Sequence, residues 1–163
     1  MVSIYKNIIM ATHIKQFFNF LEKKDGRKKP LTYKLIHEPD SLTPEDLHVK
    51  GDLNLRGTSI TSLPDGLRVD GRLTLYDTKI TSLPDNLVVA GVLSLQGTKI
   101  ARLPKGLVVG DEIFLGDQVT DIPTDIQAKG GIHYHKAPFG EKIKDYTREE
   151  LKKIYPGVYS FWK

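Results

Sequence analysis

From Leu47 onward one pattern of apolar and polar positions returns about every 20 residues. The unit beginning at Leu67 reads LRVDGRLTLYDTKITSLPDN, or L-x-V-x-G-x-L-x-L-x-x-T-x-I-x-x-L-P-x-x. Pro44, Pro64, Pro84 and Pro104 fall 20 apart, and Pro123 follows after 19. Leu47, Leu67, Leu87, Leu107 and Ile126 make one apolar column, and Val49, Val69, Val89, Val109 and Ala128 the next. A third holds Leu53, Leu73, Leu93, Ile113 and Ile132, and a fourth Leu55, Leu75, Leu95, Leu115 and Tyr134. Ile60, Ile80, Ile100 and Val119 follow, and Leu63, Leu83, Leu103 and Ile122 close the coil. Six apolar residues in 20 cannot build a core alone. Stacked coil on coil at the strand spacing of about 4.8 Å, like residues form continuous columns that can.

Within a unit, L-x-V and L-x-L alternate with period two, which predicts two short strands with one face inward. Gly51, Gly71 and Gly91 stand between them, where a tight corner calls for unusual backbone dihedrals. The L-P step fixes φ and makes another corner. A Gly and a Pro in every unit exclude a helical repeat. Thr58, Thr78 and Thr98 form a polar column. Two explanations stay open: a hydroxyl ladder bonding the corner backbone of neighbouring coils, or the preference of Thr for strand ends. The fold class is thus a mainly β repeat solenoid of four to five coils over residues 43–135.

A solenoid exposes its core at both ends and needs terminal segments to cover it. Ile14, Phe17, Phe18 and Leu21 fall at i, i+3, i+4 and i+7, predicting an amphipathic helix over about 12–24 with Thr12 as N-cap. LTYKLI at 31–36 alternates as a strand. Residues 1–42 are therefore expected to form an N-terminal helical cap, and Met10 could open a chain of its own after a nine-residue extension. At the other end, Thr147 and Glu150 fit a capping box that opens a short helix to about Ile154, ended by Pro156-Gly157. That makes residues 136–163 a C-terminal helical cap, with the aromatic, basic VYSFWK either packed on the last coil or left as a docking peptide.

The segment L-x-L-x-x-T-x-I-x-x-L-P resembles the leucine-rich repeat, and is most similar to the short 20-residue repeats of bacterial leucine-rich proteins. Thr78 stands where that family has Asn, and six residues separate Leu67 from Leu73 where the family has three. An open leucine-rich arc and a closed, parallel β-solenoid both remain compatible with these departures. The repeats also resemble those of uncharacterised phage and prophage proteins. Both resemblances cover residues 43–135 and imply a scaffold for protein recognition. The second implies a phage-encoded inhibitor of a host defence protein, acting in the host cytoplasm.

In such a repeat the outward residues of the long strand carry binding, one column from every coil. Here they are Asp52, Asn54 and Arg56, then Arg72, Thr74 and Tyr76, then Val92, Ser94 and Gln96. Glu112 and Phe114 follow, then His133 and His135. Arg56, Arg72, Tyr76, Gln96, Phe114, His133 and His135 are the expected partner-binding residues, since large aromatic and Arg side chains dominate interface energetics. Phe114, an outward aromatic in a polar column, is the sharpest clue; contact with the C-terminal cap is its competing explanation.

Composition narrows the chemistry further. The chain has no Cys, which removes disulfides, thiolate metal sites and thiol nucleophiles together. No run of 18 apolar residues occurs, so neither a membrane span nor membrane partners are expected, and the compartment predicted is the cytoplasm. Residues 1–40 hold eight Lys/Arg against four Asp/Glu, residues 41–130 nine against twelve, and residues 131–163 seven against four. A nucleic-acid-binding solenoid would place its basic stripe along the repeats, so a protein partner is favoured. Nucleic acid remains the alternative through the basic ends: Lys23, Lys24, Arg27, Lys28 and Lys29, with Lys152, Lys153 and Lys163. His133 and His135 have the spacing of two metal ligands on one strand face, but no third His or Cys lies near. No cofactor or metal is expected. Asp65, Asp77 and Asp85 are turn residues repeated coil by coil, and every Gly of the repeats is in register as a corner, not a phosphate loop. The sequence therefore predicts a protein that is not an enzyme.

Overall fold

Each coil contributes two short strands to two different sheets, and both sheets are wholly parallel. The computed structural model is a parallel β-solenoid of about four turns. It describes residues 2–134 and 160–161, with side chains over residues 12–133.

The first sheet takes the L-x-V segments: β1 (His48–Val49), β3 (Arg68–Val69), β5 (Val88–Val89), β7 (Val108–Val109) and β9 (Gln127–Ala128), paired in that order. The second takes the L-x-L segments: β2 (Leu53–Asn54), β4 (Leu73–Thr74), β6 (Leu93–Ser94), β8 (Glu112–Leu115) and β10 (Gly131–Tyr134). A sixth strand, β11 (Ser160–Phe161), pairs with β10. Register follows the repeat: Leu53 pairs with Leu73, Leu73 with Leu93, and Leu93 with Ile113. The third side of each coil, through Thr-x-Ile-x-x-Leu-Pro, forms no named strand; Arg102 and Asp121 make one isolated bridge there.

The apolar columns are the core. Leu55, Val69, Leu73, Leu75, Ile80, Leu93, Leu95, Ile100, Leu107 and Ile113 are all fully buried. Burial falls away at the ends of the stack, where Val49, Ile122, Ile126 and Ala128 are only partly covered.

Two local expectations change. Gly71 and Gly91 do not have positive φ; they are needed because the corners stack backbone on backbone. Gly71 N–H donates to the Gly51 carbonyl at 3.1 Å and Gly91 N–H to Gly71 at 3.0 Å. A Cβ on Gly91 would sit 2.9 Å from Gly71 backbone atoms. The left-handed positions lie elsewhere, at Gly57, Asp77 and Gly97, and at Gly66, Asn86 and Gly106. The threonine hydroxyls do not bridge neighbouring coils. Thr58, Thr78 and Thr98 donate to the Leu55, Leu75 and Leu95 carbonyls of their own coils at 2.7, 2.8 and 2.6 Å. Each closes its turn, since the same carbonyl also accepts the threonine N–H.

Before the coils, α1 runs from Val2 to Asp25, passing through Met10 and Thr12 without a break. Thr12 is therefore not an N-cap: nothing between Val2 and Thr12 is Gly or Pro, so no breaker delays the helix. Phe18 and Leu21 are half-buried, whereas Ile14, Phe17 and Phe20 are exposed. The predicted strand over 31–36 is instead a helix, α2 (Leu31–His37), followed by a 3-10 turn, Pro39–Ser41. Alternation in so short a run fits either period. Helical spacing here places Tyr33 against His37, ring centroids 5.0 Å apart, and lets Tyr33 pack on Phe18 at 4.6 Å. Leu35 of α2 joins the solenoid core. A pairing of Lys29 with Glu38 at 2.6 Å, each side chain only 11% exposed, ties the turn after α1 to the end of α2. The helix predicted from Thr147 to Ile154 lies outside the described residues.

Candidate protein-binding face

The outer face of the second sheet collects the residues between the buried leucines. Register aligns Asn54, Thr74, Ser94, Phe114 and His133 in one column across five strands. Arg72, Val92 and Glu112 stand two residues before this column in their coils, and Arg56, Tyr76 and Gln96 two residues after it. Nine of these residues line a shallow groove of about 440 Å³, bounded by Arg56 and Arg72 towards the start of the stack and by Glu112 and Phe114 towards its end.

Five of the seven residues singled out from sequence, Arg56, Arg72, Tyr76, Gln96 and Phe114, come together in this groove. His133 stands beside Phe114, and His135 lies outside the described residues. Thr74, Val92, Ser94 and Glu112 also line it; their alternation with Leu73, Leu93 and Ile113 placed them on this face, but only size and aromaticity distinguished the others.

The two large rings are held differently. The Arg56 guanidinium lies over the Tyr76 ring, 4.5 Å from its centroid. Phe114 is stacked on His133, centroids 5.1 Å apart and planes 21° from parallel, so one of its faces is already covered. His133 Nε2 is 3.3 Å from Glu112 Oε1, and its side chain is only 14% exposed. Ser94 donates to Gln96 within the groove. Arg72, the residue before β4, donates its N–H to Asp52 Oδ1 at 2.8 Å, and its side chain is exposed. Among the described residues neither Arg56 nor Arg72 has an acidic partner, whereas Arg68 and Arg102 each have one.

A second polar cluster, not singled out from sequence, lies beyond the first sheet. Asp70 accepts from His48 Nε2 at 2.8 Å and from Arg68 Nε at 3.1 Å. The bond from His48 holds the Asp70 carboxyl below its usual range, against a smaller opposing effect of burial and with further help from Arg68. The i, i+2 pairing of Arg68 with Asp70 was visible in the sequence; the 22-residue reach of His48 was not.

Among the described residues no group of three or more His, Asp or Glu is placed to hold a metal ion. No helix among them is long and apolar enough to cross a membrane. Compared with protein-family models, curated proteins and solved structures, the chain matches none. Its resemblance to leucine-rich or phage repeats therefore rests on the repeat residues alone.

Proposed function

We propose that the solenoid is a non-enzymatic interaction module that binds a partner protein through the groove on its second sheet. The observation that carries this is the convergence of Arg56, Arg72, Tyr76 and Phe114 from three coils onto one continuous concave surface. These are the residue types that anchor interfaces, and a stacked-coil scaffold presents them on backbone that needs no ordering on binding. The repeat resemblance extends the proposal to a phage-encoded inhibitor that acts on a defence protein in the host cytoplasm. In this reading residues 1–42 and 136–163 are caps; Leu35 within the core supports the first of these.

The test is affinity capture from bacterial lysate with the tagged chain, with and without nuclease. One protein retained in both arms, and lost with Tyr76→Ala plus Phe114→Ala while the fold survives, supports the module and names its target. Retention unchanged by that double substitution puts the binding face elsewhere.

A nucleic-acid reading has one observation in its favour. Lys24 lies over the exposed Phe20 ring at 5.6 Å, near exposed Phe17, Arg27 and Lys28, a basic cluster interleaved with aromatics. Oligonucleotide affinity falling steeply with salt, and lost with Lys23, Lys24, Arg27 and Lys28 replaced by Ala, would favour it.

A further inference from the structure

The groove is electrically polarised along the solenoid axis, and this constrains what fits it. Arg72 and Arg56 occupy one end without acidic partners among the described residues. At the other end Glu112 Oε1 lies 3.3 Å from His133 Nε2, and Phe114 offers one ring face beside Val92. The end that presents unpaired positive charge to a ligand is therefore the arginine end. The Arg56 guanidinium is held over the Tyr76 ring, and a planar guanidinium fork matches a carboxylate edge-on.

Resting on the protein-binding reading above, we propose that the groove takes an extended acidic peptide lying along the solenoid axis. Its Asp or Glu side chain pairs with Arg72, with Arg56 beside it, and an apolar side chain packs on Val92 and Phe114. Arg72 and Phe114 are two coils apart, about 10 Å along the axis, which one turn of a polyproline II chain, three residues at about 3.1 Å each, covers with residues i and i+3 on the same face. The recognised pattern is thus an acidic residue and a large apolar residue at i and i+3, in either order. Single-stranded nucleic acid fits less well: the Glu112 carboxylate lies in the groove, and along a strand every phosphate is anionic whereas a peptide need carry only one acidic side chain.

The experiment is selection of a random ten-residue peptide display library on the full chain and on Arg72→Glu, each checked by circular dichroism and melting. The expected result is enrichment of Asp or Glu three residues from Leu, Ile, Phe or Trp on the unsubstituted chain. On Arg72→Glu the acidic preference should give way to Lys or Arg at the same spacing, a swap that loss of structure could not produce. For a selected peptide, Asp→Asn should weaken binding about ten-fold to the unsubstituted chain and hardly at all to Arg72→Glu. Peptides that depend on Tyr76 and Phe114 but show no acidic enrichment overturn the proposed chemistry and leave the face standing. Peptides indifferent to both rings, or no selected peptides, overturn the peptide proposal, and the lysate capture then decides the face separately. A fluorescent twelve-residue oligothymidylate that binds and is lost with Arg56→Ala plus Arg72→Ala also overturns it, in favour of nucleic acid.

Discussion

Arg56 and Tyr76 sit at equivalent places on successive coils, the guanidinium 4.5 Å from the ring centroid. Backbone stacking holds them so: Gly57 N–H donates to the Tyr76 carbonyl at 2.9 Å, fixing the end of one strand over the end of the next. A cation over an aromatic face at an exposed site contributes about 0.5–1 kcal/mol. A double-mutant cycle of Arg56→Ala and Tyr76→Ala, followed by urea unfolding, should return a coupling of that size. Strict additivity would mean that the stacking adds nothing to the fold.

Glycines in the repeat serve two separate purposes, and substitution should separate them. Gly66 has φ +74° and open space where a Cβ would go, so its requirement is conformational. Gly91 has no positive φ, but its Cβ would press on Gly71 backbone, so its requirement is steric. Asn tolerates the left-handed region better than Ala, as Asn86 at φ 58° in the Gly66 column illustrates. Gly66→Ala should cost about 1–2 kcal/mol and Gly66→Asn clearly less. At Gly91 the order should invert, Ala costing about 1–3 kcal/mol and Asn at least as much. Chemical denaturation of the four variants measures both orders, and the same order at both sites would refute the distinction.

Much of this architecture was legible because a repeat states its core several times over. Leu73, Leu93 and Ile113 each predict the same inward position, and their alternation with Thr74, Ser94 and Phe114 marks the outer face. Unrepeated segments lack that redundancy. LTYKLI occurs once, its apolar residues fit period two and helical spacing alike, and tertiary contacts of Tyr33 and Leu35 decide for helix. The direction of the Thr78 hydroxyl was not legible either, because the sequence cannot say which of two nearby carbonyls a turn presents. In the groove, the types and spacing of Arg72 and Tyr76 were visible; the approach of His133 Nε2 to within 3.3 Å of Glu112 needed the register.

The Thr98 hydroxyl is buried and bonded to the Leu95 carbonyl. Thr98→Val keeps the shape and removes the donor, leaving that carbonyl with the Thr98 N–H bond at 3.2 Å. A lost buried hydrogen bond of this kind costs about 1 kcal/mol, offset in part by the apolar methyl. Unfolding midpoints should therefore fall for Thr98→Val and Thr78→Val, and less for Thr58→Val, whose hydroxyl is only partly buried. Equal or raised midpoints would show that the column reflects β-propensity alone.

Acid should loosen the N-terminal helices through Glu38. The hydrogen bond from Lys29 holds the Glu38 carboxyl below its ordinary 4.5, overcoming the opposing effect of burial, with Lys15 and His37 assisting. A carboxyl whose folded value is depressed contributes stability that is complete above its unfolded value and disappears as pH falls through the folded one. Lys29 is displaced the other way, above its ordinary 10.5, chiefly by the same bond. Its contribution is complete below 10.5 and is lost only as pH rises through the raised value. The pair should therefore stabilise the packing of α2 across neutral pH, fading below about 4.5 and above about 10.5. Far-ultraviolet melts from pH 3 to 7 should show the unsubstituted chain losing more stability on acidification than Glu38→Gln, which has no carboxyl to protonate. Asp70, bound by His48 and Arg68, should add to acid lability in both chains, so the comparison is between slopes. Parallel pH profiles would mean that the Lys29–Glu38 bond does not stabilise the packing of α2 against the turn after α1.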